Sequence, residues 1–170
     1  MSGDRRRTPP PMAVVVCGVS GCGKTTVGRL LAERLGQPFM DADDLHPSAN
    51  VAKMRRGEPL DDADRRPWLA AVRATLQNHV ARGEGIVVAC SALKASYRHQ
   101  LHVPGGVRFV HLHGTRAVLA ERLAARGEHF FDPGLLDSQL ATLEPPPEAI
   151  RLDVREPPQT LVHKAIDALR

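Results

Sequence analysis

The chain has 170 residues, a length that suits one domain with one hydrophobic core. Its 42% hydrophobic and 25% charged residues are ordinary for a globular protein, and the 4% aromatic content predicts a core built mainly from Leu, Val, Ile and Ala. The formal net charge is +4, but acids alternate with the arginines and there is no basic stripe with stacking aromatics, which argues against nucleic-acid binding. No run approaches the ~18 apolar residues that cross a bilayer, so we expect no membrane association.

Residues 1–11, MSGDRRRTPPP, combine charge with a proline run, which predicts a disordered tail ahead of one domain over residues 12–170. The tail lacks the apolar segment of a secretory signal. Cys17, Cys22 and Cys90 are odd in number and lack metal-ligand spacing, so we expect reduced thiols and a cytoplasmic protein.

Short buried strands alternate with amphipathic helices along the chain. The predicted strands cover residues 12–17, 38–41, 86–90, 107–112 and 150–154. The predicted helices cover residues 24–35, 47–56, 65–82 behind Asp64 as N-cap, 92–101 and 116–126, with a short apolar helix inside 127–143 and a closing helix near 161–169. This alternation predicts an α/β fold, in which helices cover both faces of a parallel sheet.

A phosphate-binding loop follows the first strand. Residues 18–25 read GVSGCGKT and match G-x-x-x-x-G-K-[ST], in which glycines let successive backbone N–H groups point at phosphate oxygens. The lysine of this motif reaches the β- and γ-phosphates, and the threonine hydroxyl binds Mg²⁺. The predicted nucleotide-binding residues are Gly18, Val19, Ser20, Gly21, Cys22, Gly23, Lys24, Thr25 and Thr26.

Acidic residues follow the second strand. Asp41 and Asp43 would lie on the same side of an extended segment. If the first two strands flank the cleft, these acids lie directly across it from the loop, because ligands collect at the carboxyl ends of parallel strands. We predict that Asp41 faces Mg²⁺ with Thr25, and that Asp43 is the base that takes a hydroxyl proton. Without the loop, a solvated acidic segment would be the better interpretation.

Basic side chains are candidates for the rest of the site. Lys53 and Arg98 could hold an anionic acceptor, although each alone also fits a surface cation. Arg122 and Arg126 share one helical face and could stack on adenine and clamp phosphates, or be exposed arginines. A switch GTPase would carry N-K-x-D, which the sequence lacks.

The chain after the tail resembles the gluconokinases, which belong to the shikimate-kinase-like group of P-loop kinases. Kinases of shikimate or nucleoside monophosphates share the loop but lack the blocks between residues 43 and 69. The resemblance is carried by residues 18–25, 43–47 (DDLHP), Asn50, Lys53-Met54, 57–61 (GEPLD), 64–65 (DR), 67–69 (PWL), 90–94 (CSALK), 97–98 (YR), 129–131 (HFF), Gln139 and 143–144 (LE).

This resemblance implies that ATP and Mg²⁺ are used to convert D-gluconate to 6-phospho-D-gluconate. It implies a five-stranded parallel sheet of order 2-3-1-4-5, as in nucleoside-monophosphate kinases, with a substrate-binding segment at about residues 45–82, a mobile lid at about 126–144, and a homodimer. The catalytic residues implied are Lys24, Asp43 and Arg126. The substrate-binding residues implied are Asp43, His46, Lys53, Ser91, Arg98, His129 and Gln139.

One departure from the family lies in the lid, where Glu128 stands in the place of the glycine that usually precedes the histidine. Two alternatives to gluconate phosphorylation are open at this point. One is a related kinase of shikimate or a nucleoside monophosphate, and the other is a non-catalytic ATP-binding module. A pure binder would not require a base such as Asp43.

Overall fold

A computed structural model describes residues 11–125 and 133–170, and its centre is one parallel sheet. Neighbouring strands follow the order β2-β3-β1-β4-β5, so the order 2-3-1-4-5 and the α/β class are confirmed. The strands are β1 Ala13–Cys17, β2 Phe39–Asp41, β3 Ile86–Ala89, β4 Val107–His113 and β5 Ile150–Asp153.

Helices follow the strands in the predicted alternation. A short 3-10 helix, Ala42–Leu45, comes directly after β2. The α-helices in the described ranges are α1 Lys24–Leu35, α2 Ser48–Arg55, α3 Asp62–Ala81, α4 Ala95–Gln100, α5 Arg116–Ala125, α6 Pro133–Thr142 and α7 Pro158–Leu169. None of these helices is long and apolar enough to cross a membrane.

The two faces of the sheet carry separate hydrophobic clusters. Alternate β1 residues point to opposite faces, so Val14 and Val16 pack with α1, α5 and α7, whereas Val15 packs with α3 and α4. Every residue of β1 is buried, as expected for a central parallel strand covered on both sides. The carboxyl end of β1 therefore emerges in the middle of the molecule, where the loop begins.

Two predicted helix starts are wrong. Helix α3 begins at Asp62 behind Asp61, and Asp64, which we expected to be the cap, is its third residue. Asp61 and Asp64 form a reciprocal capping box, in which each side chain accepts from the other's backbone N–H. Helix α4 begins three residues later than predicted, because Ala92 has a positive φ of 43° that a helix cannot accommodate.

Strand β3 lies between β1 and β2, as the order 2-3-1-4-5 requires, so the acids after β2 do not face the loop from a neighbouring strand. The acids after β2 approach the loop by a different route, through the first turn of α1. Residues 1–10 of the predicted tail and residues 126–132 of the predicted lid lie outside the described residues.

Candidate active site

The phosphate loop between β1 and α1 has a tightly curled backbone. Gly18, Gly21 and Gly23 have φ values of 145°, 83° and 93°, which side-chain-bearing residues rarely adopt. A Cβ on Gly21 would come within 2.7 Å of Cγ of Leu123, so the outside of the loop lies directly on α5. The first N–H groups of α1 have no partners within the helix, and the N-cap residue, Gly23, has no side chain to cap them.

Lys24 folds back over this loop. Its Nζ donates to the carbonyl oxygens of Gly18 and Val19, at 3.0 and 3.1 Å. These two bonds hold the ammonium group against the backbone of the loop. Thr26 follows on the first turn of α1, where its side chain is exposed.

Thr25 and Asp41 meet between α1 and the end of β2. The Thr25 hydroxyl donates to Oδ2 of Asp41 at 3.3 Å. Hydroxyl and carboxylate oxygens beside a phosphate loop suit Mg²⁺, which in phosphoryl-transfer sites takes a few protein oxygens together with substrate phosphates and water. No cluster of three or more His, Cys, Asp or Glu side chains in the described ranges is arranged to hold a metal by itself.

Asp43 lies in the 3-10 helix and not in an extended segment, so the prediction that it shares one side of a strand with Asp41 is wrong. The reason is local, because Oδ1 of Asp41 accepts from the Asp43 N–H at 2.9 Å and turns the chain. Trp68 fixes the same turn from α3 by donating its Nε1–H to the Ala42 carbonyl at 2.7 Å.

The Asp43 carboxylate faces the cleft, with 77% of its side-chain surface exposed. The protein around it still removes part of its hydration, and this partial desolvation raises its pKa above the ordinary 3.8. The negative charge of Asp41 raises this pKa further, whereas Lys24 opposes the shift. The carboxyl is therefore a better proton acceptor than a free aspartate.

His46 is held in one tautomer. Its ring stacks on Trp68 with centroids 4.3 Å apart, and its side chain is 6% exposed. Asn50 donates through Nδ2 to the Asp64 carbonyl and lies 3.3 Å from Nδ1 of His46, which therefore accepts and leaves the proton on Nε2. That Nε2 lies 4.0 Å from Asp43, and burial lowers the His46 pKa, so the ring is neutral beside the carboxylate.

Lys53 already has a protein partner. Its Nζ lies 2.6 Å from Oδ2 of Asp64, inside the capping box of α3. The bond to Asp64 is the main reason that the Lys53 pKa is raised. An anionic acceptor at this place would have to share the ammonium group with that carboxylate.

Arg65 is a site residue that the sequence analysis did not assign. Its Nη1 donates to the Leu60 carbonyl at 2.7 Å and to the Tyr97 hydroxyl at 3.1 Å, and its guanidinium stacks over the Tyr97 ring. Its charge also contributes to lowering the pKa of His46, whose Nε2 lies 4.0 Å from Asp43. Arg65 belongs to the block that carries the family resemblance, but its spacing alone does not distinguish it from the next residue, Arg66.

Tyr97 connects Arg65 to a second charged pair. The Tyr97 hydroxyl donates to Asp62 at 2.5 Å, and Nζ of Lys94 lies 3.2 Å from the same carboxylate oxygen. These contacts tie α4 to the first turn of α3 along the acceptor side of the cleft.

Ser91 lies on the loop after β3, and Arg98 lies on α4. Arg98 donates through Nη1 to the carbonyls of Ala92 and Leu93 and through Nη2 to that of Glu144, so much of its hydrogen-bonding capacity is used within the protein. The Ser91 carbonyl accepts from the Gly18 N–H at 3.3 Å, which places Ser91 beside the phosphate loop.

The remaining candidates lie on the side of α5 and α6. Arg122 donates through Nη2 to the Val154 carbonyl at the end of β5. Gln139, for which the resemblance implies a contact with the substrate, accepts from the backbone N–H of Ser20 in the loop, at 2.7 Å. Arg126 and His129 lie outside the described residues.

The three cysteines are unpaired and buried. Burial raises the pKa of Cys17 and Cys90 to about 12, so both stay as thiols near neutral pH. Cys22 is 1% exposed and fills space beneath the loop.

Known proteins that are similar to this chain are kinases. The family profile described as shikimate kinase matches residues 20–142. A gluconokinase of Gluconobacter oxydans is 48% identical over 92% of this chain and 90% of its own length, and a probable gluconokinase of Xenopus tropicalis is 46% identical over 79% and 80%. A gluconokinase structure from Sinorhizobium meliloti 1021 superposes with a TM-score of 0.87, at 46% identity and over 95% of this chain and 93% of the other.

Proposed function

Because this chain belongs to the shikimate kinase family and, within it, to the gluconokinases, we infer that it transfers the γ-phosphate of ATP to a hydroxyl of D-gluconate. The product is 6-phospho-D-gluconate. The observation that carries this inference is the meeting of the phosphate loop with the acids after β2, where Thr25 bonds to Asp41 and Lys24 is close enough to influence the Asp43 pKa.

The loop and Lys24 are proposed to seat the triphosphate. When phosphate oxygens enter, they replace the carbonyl oxygens of Gly18 and Val19 as partners of the Lys24 ammonium group. Its positive charge then stabilises the negative charge that develops during transfer. Thr25 and Asp41 would hold Mg²⁺, which when bound neutralises charge on the phosphate oxygens. Arg126 is proposed to close over the same phosphates, and Arg122 to flank the adenine.

Asp43 is proposed to accept the proton of the attacking hydroxyl. Its raised pKa favours this role, because a base works best when its pKa approaches the working pH while most of it stays ionised. The Nε2–H of neutral His46 faces the same carboxylate and can orient it or donate to an acceptor hydroxyl. Ser91 is proposed to make a second contact with an acceptor hydroxyl.

The gluconate carboxylate requires a cation, and Arg65 is proposed to supply it. A guanidinium offers five N–H donors, and the Nη1 contacts to Leu60 and Tyr97 leave its Nε and Nη2 groups for a carboxylate. Lys53 and Arg98 were predicted for this role from the sequence. We propose that they border the acceptor while their contacts with Asp64 and Glu144 hold the surrounding segments.

A coupled assay tests the reaction directly. Purified protein with ATP and Mg²⁺ is offered gluconate, other sugar acids, shikimate and nucleoside monophosphates. We expect ADP release above the ATPase background with gluconate, and NMR of the product should identify the phosphorylated hydroxyl. Turnover on shikimate or a nucleotide in place of gluconate would show that gluconate is not the acceptor, while the protein would still be a kinase.

Two wider expectations also belong to the proposal, a cytoplasmic location and a homodimer. The location agrees with three unpaired cysteines, since reduced thiols persist in reducing compartments. Light scattering at assay concentration tests the dimer, and a monomer mass would reject it.

A further inference from the structure

Helix α6 is hydrogen-bonded to the phosphate loop. Oε1 of Gln139 accepts from the backbone N–H of Ser20 at 2.7 Å, and the two residues are 119 positions apart. Ser20 is the third residue of the loop motif and lies between Val19 and Gly21, which are both buried. A side chain from a distant helix thus supplies the hydrogen-bond partner that this loop N–H needs.

The rest of the loop is fixed by other contacts. Lys24 holds its beginning through the carbonyls of Gly18 and Val19. Gly21 lies against Leu123 and the Leu119 carbonyl of α5. Ser20 stands between these two contacts, so Gln139 supports the part of the loop that they do not reach.

The carboxyl end of α6, just beyond Gln139, is anchored on the acceptor side. Just beyond the helix, the Glu144 N–H donates to the Leu93 carbonyl at 2.8 Å, and its carboxylate accepts from the Ala95 N–H at 2.9 Å. The Glu144 carbonyl also accepts from Arg98 at 2.7 Å. The last turn of α6 and the two residues after it therefore connect the loop to the segment after β3.

We propose that Gln139 is a positioning residue of the nucleotide site and that the anchor at Glu144 determines where α6 holds it. Gln139 keeps the Ser20 segment in its nucleotide-binding shape without touching the phosphates. Glu144 acts on the nucleotide site only through α6, so its effect depends on Gln139. This inference rests on the proposed function for the identity of the ligand.

Calorimetry with Mg·ADP tests this, since it measures the nucleotide site without any acceptor. Gln139→Met removes the acceptor oxygen and keeps the side-chain length, and we expect it to raise the Kd by about five- to tenfold, the usual effect of one lost hydrogen bond. Glu144→Met should raise the Kd by a smaller factor. In the double variant the Kd should equal that of Gln139→Met alone, because the effect of Glu144 passes through Gln139.

Three further measurements separate positioning from general destabilisation. The melting temperature should fall by no more than about 4 °C in either single variant. Exchange of the Ser20 amide hydrogen should speed up in Gln139→Met. The matched control is Gln100→Met, which removes an exposed glutamine whose amide donates to the Ser96 carbonyl of its own helix, and it should leave the Kd unchanged.

An unchanged Kd in Gln139→Met, or additive effects in the double variant, would overturn the proposal. Failure of the wild-type protein to bind Mg·ADP would reject the nucleotide site itself, which is a different result. If Gln139→Met does not fold, Gln139→Asn serves in its place, because it keeps the amide and retracts the oxygen by one carbon–carbon bond.

Discussion

The hydroxyl of Thr25 lies 3.3 Å from Oδ2 of Asp41 and donates a hydrogen bond to it. This contact joins the first turn of α1 to the end of β2, although β3 separates β2 from β1 in the sheet. The acids after β2 therefore approach the phosphate loop through the helix that follows the loop. Both oxygens are of the kind that Mg²⁺ prefers.

Thr25→Val should lower kcat by at least about tenfold and raise the Mg²⁺ concentration needed for half-maximal rate, because valine keeps the shape and loses the oxygen. Initial rates at increasing Mg²⁺ measure this. The control is Thr75→Val, whose hydroxyl donates to the Ala71 carbonyl within α3, and it should behave as wild type. A normal Mg²⁺ dependence in Thr25→Val would remove Thr25 from the metal site.

Asp43→Asn should lower turnover by at least about 10²-fold while Mg·ADP binding stays near wild type, because the amide cannot accept the hydroxyl proton. Asp44→Asn, an exposed neighbour, is the matched control and should retain most activity. Retained turnover in Asp43→Asn would show that another group is the base.

The acid limb of the kcat/KM profile should lie above the ordinary aspartate pKa of 3.8, because desolvation and the Asp41 charge raise the Asp43 pKa. Asp43 must be ionised to act, so activity is lost as the pH falls through its pKa. Asp41→Asn removes the nearby negative charge and should move the limb to lower pH, whatever it does to the maximal rate. If the acid limb does not move in Asp41→Asn, the titrating group is not Asp43.

Arg65→Met should raise the KM for gluconate by about tenfold or more and leave the Kd for Mg·ADP within about twofold, because the lost guanidinium serves the acceptor carboxylate. The KM of Arg65→Lys for gluconate should lie between those of the wild type and Arg65→Met, since the lysine ammonium keeps the charge but not the paired N–H donors of the guanidinium. Arg66→Met, on the exposed neighbouring arginine, is the control. Equal losses for gluconate and nucleotide would indicate a folding defect instead.

His111 should make the protein less stable as the pH falls from 6.5 toward 4. It is 2% exposed, its Nδ1 has no hydrogen-bond partner among residues 11–125 and 133–170, and burial lowers its pKa from 6.5 to about 4. The unfolded chain takes up the proton first, so stability is full above pH 6.5 and decreases by about 3 kcal/mol through this window.

Urea unfolding between pH 7 and 4 measures this loss, at pH values where most carboxylates are still ionised. His111→Phe, which cannot be protonated, should make the stability curve flatter. The control is His99→Phe at an exposed position of α4, and it should keep the wild-type slope. A slope that survives in His111→Phe would have to come from other groups.

The local parts of the site could be predicted from the sequence. The motif at residues 18–25 fixes which backbone groups face a phosphate, because its glycines permit the positive φ values found at Gly18, Gly21 and Gly23. Helix starts were less predictable, since both Asp61 and Asp64 are good caps and only the reciprocal hydrogen bonds of the box distinguish them.

Residues joined across the fold could not be predicted in the same way. The resemblance implied that Gln139 contacts the substrate, and it gave no sign of the hydrogen bond between Gln139 and Ser20. Two residues 119 positions apart leave no periodic pattern in the chain. Arg65 and Arg66 are the same residue type in adjacent positions. Only the packing of α3 against α4 turns the first toward Tyr97 and leaves the second exposed.

The succession of strands and helices along the chain, the phosphate loop and the acids after β2 could all be predicted from local patterns, because each depends on residues close together in the chain. Which of the candidate cations are available and which are already paired, as Lys53 is with Asp64, depends on how the chain folds. The tertiary structure also decided how Asp41 reaches Thr25 and what supports the loop at Ser20. Those relationships arise only when the folded sheet brings distant segments together, and the energy of each contact exists only in that arrangement.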